Sequence, residues 1–181
     1  AHPGGADPGP DMARGVDRAA AALAEAGARV QGALPPRVEE TYAITRAYWR
    51  RQESQSADEW TPSGVFASER GPLTADESAR LLFEWDRFRR AFIAFMEDFD
   101  VVLTPAANRP AVPHGEPDGG IPFTLTYSLT GYPAVVVRSD TTADGLPVGV
   151  QLVARPWRED VALAAAAVVE RSCGGWLPPG L

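Results

Sequence analysis

Serine, histidine and lysine are the side chains from which many hydrolytic enzymes build a nucleophile and its base. The sequence has two histidines, His2 and His114, and both lie in segments rich in proline and glycine. All 17 basic residues are arginine, so no lysine is available as a base. The serines lack a Gly-x-Ser-x-Gly or Gly/Ser-rich setting; they are Ser54, Ser56, Ser63, Ser68, Ser78, Ser128, Ser139 and Ser172. The residues therefore predict no catalytic group within this chain.

Metal-binding and cofactor-binding patterns are also missing from the sequence. There is no His-x-x-x-His pair and no phosphate-binding glycine loop. The one cysteine, Cys173, cannot form a disulfide within the chain, which allows a reducing compartment. Carboxylates are scattered over predicted helices and turns, where solvated charge is the better interpretation. We therefore expect no metal, no cofactor and a cytoplasmic location.

Residues 124–154 form the most ordered part of the sequence, and they predict two strands joined by a turn. The run 134–137 is apolar on both faces, which predicts a strand that is covered on both sides. Asp and Gly at 140–145 favour a turn, and the apolar run 148–153 predicts the returning strand. Gly149 within this strand indicates a close backbone approach or a bulge.

The first half of the chain predicts alternating helix and strand. An alanine-rich helix is expected from Asp11, with Asp11 as N-cap and Gly27 just beyond its end. A short strand is predicted at 28–34, and a second helix at 38–51. Residues 52–71 are polar and aperiodic, which predicts a long loop; a plain surface connection is favoured over a lid.

A third helix is predicted at 74–98, because Thr74 and Glu77 match a capping box. Its large apolar residues recur every three or four positions and are expected to pack against the sheet; they are Leu81, Trp85, Phe88, Phe92, Phe95 and Phe99. A buried strand follows at 100–103, then a Pro/Gly-rich loop that contains His114, for which a surface position is expected. The last predicted helix covers 159–172, with Asp160 or its neighbour as the expected cap.

Length and composition limit the possible partners. The chain has 181 residues, of which 45% are hydrophobic, which suits one domain or a large part of one. A net charge of -7 argues against nucleic-acid and anionic-membrane partners, and no apolar run is long enough to span a bilayer. Residues 1–10 are rich in Pro and Gly, so we expect a flexible segment at the start of a fragment.

Two blocks resemble the C-terminal part of the amidase signature family. They are SLTGYPAVVV at 128–137 and DGLPVGVQLVARPWRED at 144–160, and the strand ending in Thr104-Pro105 is similar as well. The likeness extends from about residue 98 to about 171. Tyr127 and Ser128 stand where the family usually has Phe-Asn, and Tyr132 stands where it usually has Leu.

The resemblance implies an α/β fold with a mixed β-sheet covered by helices, in which residues 11–181 form the C-terminal part of a single amidase domain. It also implies amide hydrolysis by serine acyl transfer. The two serines and the lysine of the family's catalytic triad would lie upstream of this chain, which by itself should be inactive.

The matched blocks would then supply the core and one wall of a pocket for a small-molecule amide. The substrate-binding residues implied are Thr104, Ile121, Phe123 and Tyr127. A charged residue at Phe123 or Tyr127 is expected to alter substrate choice and leave the fold intact. Two alternatives stay open: a non-catalytic truncated relative and one subunit of a glutamine-dependent amidotransferase. The expectations also allow for a homodimer.

Overall fold

The computed structural model describes residues 7–53, 73–116, 122–176 and 178. These residues form five α-helices and a three-stranded sheet of order β1-β3-β2. The elements are α1 (Pro10–Glu25), α2 (Thr41–Glu53), α3 (Ala75–Phe95), β1 (Val101–Pro105), α4 (Pro122–Thr130), β2 (Ala134–Thr141), β3 (Pro147–Ala154) and α5 (Glu159–Cys173). A 3-10 turn, Val38–Glu40, precedes α2. The predicted α/β class, with helices covering a sheet, is confirmed, and all pairing in the described sheet is antiparallel.

The predicted hairpin is present, and a bulge interrupts it. Arg138 pairs with Gly149, and Asp140 pairs with Val148, so Ser139 is an extra residue in β2. A Cβ atom on Gly149 would lie 3.3 Å from Val136 Cγ1, which is tighter than ordinary contact. Glycine is therefore favoured here because the backbone of β3 lies close to a neighbouring side chain and beside a bulge, as the sequence predicted.

Helix α1 packs tightly over this bulge. A Cβ atom on Gly15 would lie 2.7 Å from Val148 Cγ1 and 2.8 Å from Ser139 Oγ. Beside this contact the buried Asp140 carboxylate accepts a hydrogen bond from Arg14 Nε at 2.6 Å and another from Arg18 Nη1. The close approach and the two charged hydrogen bonds together fix α1 against the hairpin.

The N-cap of α1 lies two residues before the predicted one. Pro10 is the first helical residue and Gly9 is the N-cap, which makes no side-chain hydrogen bond. Asp11 lies within the first turn, where its carboxylate accepts a hydrogen bond from Arg14 at 2.7 Å. Pro10 suits this position because its fixed φ matches that of a helix. Proline has no backbone N–H, and at the first helical position an N–H would have no partner within the helix. Gly27, at φ 98°, follows the C-cap as predicted.

Two apolar clusters enclose the sheet. On one face, α1 and α5 pack on the hairpin through Ala19, Val150, Leu152, Ala166, Val169 and Cys173. On the other face, α2, α3 and α4 share a second cluster, which includes Val38, Ile44, Leu81, Phe88, Phe92, Met96, Tyr127, Leu129 and Val153. The predicted aromatic stripe of α3 is therefore core. It packs mainly on α2 and α4, however, and the sheet residues in the same cluster are Val153 and Val102.

Local end signals predicted some helix boundaries correctly and others incorrectly. The capping box at Thr74 is complete: Thr74 Oγ1 accepts from the Glu77 N–H at 3.3 Å, and the Thr74 N–H donates to Glu77 Oε2 at 2.8 Å. Helix α3 nevertheless ends at Phe95, three residues before the predicted end. The N-cap of α5 is Arg158 and not Asp160; Asp160 instead accepts two hydrogen bonds from the Arg158 guanidinium at 2.9 and 3.0 Å.

The strand predicted at 28–34 is absent, and the burial predicted for β2 is wrong. Residues 28–34 form no strand; Val30 and Leu34 are half exposed, and no described strand lies beside them to pair with. Strand β2 is at the sheet edge, and Val136 is 56% exposed, so its apolar run is not covered on both faces. The apolar run at 134–137 thus correctly predicted a strand, but it did not predict how deeply that strand is buried.

Two other predictions involve the connections. Gln52 and Glu53, predicted to open a long loop, are the last residues of α2, and the rest of that predicted loop lies outside the described residues. Helix α4 was not predicted. Its signals were Pro122 at the first position and Gly131, at φ 71°, directly after the end. In the part of the chain that the structure describes, no helix is long and apolar enough to cross a lipid bilayer.

The Asp140 ion pairs predict an acid-sensitive contribution to stability. Burial alone would raise the pKa of Asp140, but hydrogen bonds from the Thr141 N–H, Arg14 and Arg18 outweigh burial and hold the pKa below its ordinary value. Because the folded-state pKa is lowered, the ionised Asp140 stabilises the fold at pH values above its unfolded-state pKa of about 3.9. This stabilisation is lost as the pH falls through the folded-state pKa. The stability difference between wild type and Asp140→Asn, measured by urea unfolding, should therefore shrink from about pH 6 to about pH 3. A difference that stays constant with pH would contradict this prediction.

Candidate functional site

The predicted site residue Thr104 lies near the end of β1 in a row that crosses the sheet. Thr104 pairs with Gln151 of β3, and Gln151 pairs with Val136 of β2. Gln151 Nε2 donates to Thr104 Oγ1 at 3.4 Å, and Thr104 Oγ1 donates to the Pro105 carbonyl at 3.2 Å. The row therefore changes from hydrogen-bonded polar groups at Thr104 and Gln151 to an exposed valine at the sheet edge.

Helix α4 brings two further predicted residues to this row. Phe123 and Tyr127 are four positions apart and so lie on the same side of the helix. The Phe123 carbonyl accepts from Gln151 Nε2 at 3.5 Å, and the Tyr127 hydroxyl is hydrogen-bonded to the Thr104 side chain. Three of the four predicted substrate-binding residues are thus in one hydrogen-bonded group. The fourth, Ile121, lies outside the described residues.

The side chains of Phe123 and Tyr127 are enclosed by the chain itself. Phe123 is 1% exposed and Tyr127 is 3% exposed, whereas Thr104 is half-buried. Burial raises the pKa of the Tyr127 phenol above its ordinary value, more than the bond to Thr104 lowers it, so the phenol stays protonated at neutral pH. Any role of these two residues in binding substrate stays a prediction. The expectation that a charged residue there would leave the fold intact is corrected, because its charge would be buried without a partner.

Gln151 joins the predicted residues, and sequence reasoning missed it. Its amide is buried and donates to both the Thr104 side chain and the Phe123 backbone. A single amide within the apolar strand VGVQLVA was the available signal, because a buried polar group requires partners. A second buried hydrogen bond, 3.0 Å between Thr41 Oγ1 and Thr126 Oγ1, attaches α4 to α2.

The described residues contain no arrangement that could perform acyl transfer. Ser128 is exposed, and its hydroxyl donates to the Thr124 carbonyl at 3.1 Å; the Ser139 hydroxyl is buried against α1 with no hydrogen-bond partner. His114 is exposed, as predicted, and no described serine is hydrogen-bonded to it. Within the described ranges, no group of three His, Cys, Asp or Glu side chains could hold a metal ion. What the described residues form here is a fixed, hydrogen-bonded group in which Thr104 is half-buried and Gln151, Phe123 and Tyr127 are buried.

A separate cleft of about 410 Å³ lies between α2 and α3. Ile44, Ala47 and Leu81 are among its apolar lining residues, and Glu40, Glu77 and Glu84 are among its charged ones. Of the predicted substrate-binding residues, the three that the structure describes, Thr104, Phe123 and Tyr127, do not line this cleft, so it is distinct from the Thr104 group.

Comparison with known proteins places the site within a family. The sequence profile of the Amidase family matches residues 73–163, which include β1, α4 and the hairpin. Among curated proteins, a glutamyl-tRNA(Gln) amidotransferase subunit of Methylocella silvestris is 35% identical over 94 residues, covering 48% of this chain and 19% of that protein. The same subunit of Xanthobacter autotrophicus is 38% identical over 88 residues, covering 44% and 18%.

Solved structures agree on the fold. A fatty acid amide hydrolase superposes with a TM-score of 0.78 at 16% identity, covering 95% of this chain and 38% of that one. A 6-aminohexanoate cyclic dimer hydrolase superposes with a TM-score of 0.71 at 22% identity, covering 95% and 44%. The matched segment spans about a fifth of the length of the curated relatives, and the chain spans less than half of these structures. The family match over half of the sequence shows that this chain belongs to the amidase signature family.

Proposed function

We propose that this chain is the core and pocket-wall portion of an enzyme that hydrolyses carbon–nitrogen bonds in amides through a serine acyl intermediate. The observation that carries the proposal is the family match over residues 73–163, which contains the whole Thr104–Gln151–Phe123–Tyr127 group. The nucleophile and the lysine base would come from outside these 181 residues, because the chain contains no lysine. The proposed substrate is a small-molecule amide, and the proposed location is the cytoplasm.

The wall residues favour a neutral or aromatic amide in this proposal. In this proposal Thr104 and Ile121 would face the pocket, and the enclosed Phe123 and Tyr127 would back them. Gln151 would hold the strand and the helix in register. The segment Ile121-Pro122-Phe123 is apolar and offers no carboxylate to a substrate ammonium group. Tyr127 remains neutral, so the wall is a surface of fixed shape and not a source of protons.

A second candidate is an amidotransferase subunit that takes ammonia from glutamine. It is favoured by the curated relatives, because the two described above both belong to glutamyl-tRNA(Gln) amidotransferases and are 35% and 38% identical to this chain. The two candidates differ in substrate. Ammonia release from glutamine that exceeds release from aryl and aliphatic amides would favour the amidotransferase.

We expect the purified 181-residue chain to hydrolyse no amide. Acyl transfer needs an activated nucleophile beside a base, and among the described residues no serine has one. A fluorophosphonate probe should leave the chain unlabelled, and ammonia release from aliphatic and aryl amides should match the buffer blank. The same chain extended by its upstream coding sequence should react with the probe.

Two results would contradict the proposal. Stoichiometric labelling of the isolated chain, abolished by changing one of its serines, would show that the nucleophile lies within it. An extended protein that folds but neither reacts with the probe nor releases ammonia from amides or glutamine would instead identify a non-catalytic relative.

A further inference from the structure

Helix α3 has a second apolar surface that its packing against α2 and α4 leaves uncovered. Leu82 is 49% exposed, Phe83 62% and Ile93 51%, although the opposite side of the same helix is core. Asp86, Arg89 and Arg90 lie among these residues and are exposed. A surface of this kind on one helix is typical of an interaction site.

The exposed residues of α3 form a helical seam with an internal symmetry. Leu82, Asp86, Arg89 and Ile93 follow one another at steps of four, three and four, so they form one stripe along the helix. Reversing the direction of the helix exchanges Leu82 with Ile93 and Asp86 with Arg89. The stripe is therefore complementary to a second, antiparallel copy of itself, with apolar residues at both ends and opposite charges between them.

We infer that α3 pairs with α3 of a second copy of this chain about a two-fold axis that passes between Arg87 and Phe88. In this arrangement Leu82 of one copy packs on Ile93 of the other, and Asp86 of one copy faces Arg89 of the other. Phe83 and Arg90 flank the stripe on the same side, seven residues apart, so Phe83 lies near the guanidinium of Arg90 from the second copy. A two-fold axis closes the assembly at a dimer, since each copy contributes the same surface.

The ion pair within each copy fits this arrangement. Arg90 Nε donates to Asp86 Oδ2 at 2.6 Å, with side chains that are 77% and 55% exposed. This contact orients the Asp86 carboxylate within the stripe. Arg89 is exposed, and its charge also acts on the Tyr132 phenol of the same copy; in the dimer it faces Asp86 of the second copy. Helix α3 has 21 residues and is about 30 Å long, so the contact area is at the small end for a specific interface. A reversible dimer is therefore expected.

Sedimentation equilibrium of the purified chain over a concentration series tests the inference. The wild type should show a monomer–dimer equilibrium, and Leu82→Glu should weaken it by about tenfold or more because two carboxylates are buried per dimer. Leu163→Glu is the matched control, because Leu163 is a similarly exposed leucine, 58%, on α5. It should leave the equilibrium unchanged.

Charge reversal tests the two-fold register independently of the apolar contacts. Asp86→Arg and Arg89→Asp should each weaken association, because each places like charges opposite one another. The double variant Asp86→Arg/Arg89→Asp should restore association relative to both single variants, at low salt above all. A chain that is monomeric at every concentration would overturn the inference, as would a dimer that none of these α3 variants weakens. Circular dichroism should show an unchanged helix content in every variant.

Discussion

Tyr127→Asp should strongly destabilise the fold. Tyr127 is enclosed in the cluster formed by α2, α3 and α4, with its ring edge-on to Phe92 at a centroid distance of 5.9 Å. Aspartate would leave most of the ring volume empty. Its carboxylate would be buried, and among the described residues no cation is hydrogen-bonded to Tyr127 that could pair with this charge. We expect a loss of about 4 kcal/mol or more, a large part of the ~5–15 kcal/mol that stabilises a typical domain.

Ser128→Asp is the matched control for this prediction. Ser128 is the next residue of α4 and is exposed, so an aspartate there keeps its hydration. Its proximity to the helix C-terminus should cost at most about 1 kcal/mol. Tyr127→Phe retains the ring and removes only the bond to Thr104, so its cost should be about 1 kcal/mol. Urea unfolding followed by far-UV circular dichroism checks all three variants. A Tyr127→Asp protein that unfolds as cooperatively as the Ser128→Asp protein would show that position 127 is not core.

Phe92→Ala should lower the free energy of unfolding by about 3–5 kcal/mol. Phe92 is fully buried and is the centre of an aromatic group: its ring lies 5.3 Å from Phe88, 6.1 Å from Phe95 and 6.3 Å from Tyr132, centroid to centroid. Removing the ring leaves a cavity bounded by Phe88 and Phe95 of α3 itself, by Tyr127 of α4 and by Tyr132, so the surrounding structure can relax only partly.

Phe83→Ala is the control, because it removes the same ring from an exposed position of the same helix. At a protein concentration low enough for the monomer to predominate, it should change stability by less than about 0.5 kcal/mol. Denaturant titration of both variants gives the comparison. Equal unfolding midpoints for Phe92→Ala and wild type would show that the aromatic stripe is not part of the core.

Local signals were sufficient for elements whose partners are close in sequence. The hairpin could be predicted because its turn and both strands lie within a short segment, and Thr74 and Glu77 predicted the start of α3 by the same logic. The strand predicted at 28–34 failed because a strand is stable only beside a partner, and no described strand lies there. Burial of β2 could not be predicted because it depends on which residues cover the sheet.

Helix α4 and the site depended on distant residues. The α4 sequence contains Thr124, Thr126 and Tyr127, which favour strands, and the helix is held by tertiary contacts such as the hydrogen bond between Thr126 and Thr41. Gln151 finds its partners 47 residues away at Thr104 and 28 residues away at Phe123. The family resemblance grouped Thr104, Phe123 and Tyr127. The one sequence signal for Gln151, a single amide in an apolar strand, does not say which distant groups the amide bonds to.

The contacts of α1 have a consequence for the order in which the chain folds. Arg14 is 126 residues from Asp140, whereas the hairpin closes through a turn in which the Thr142 N–H donates to the Leu146 carbonyl. Local pairing precedes distant docking because the entropy lost on closing a loop grows with its length. During synthesis, α1 emerges before the hairpin, and the surface that Ala19 and Gly15 pack on is complete only when α5 has been translated. Until then, the apolar side of α1 lacks its native contacts with the hairpin and α5.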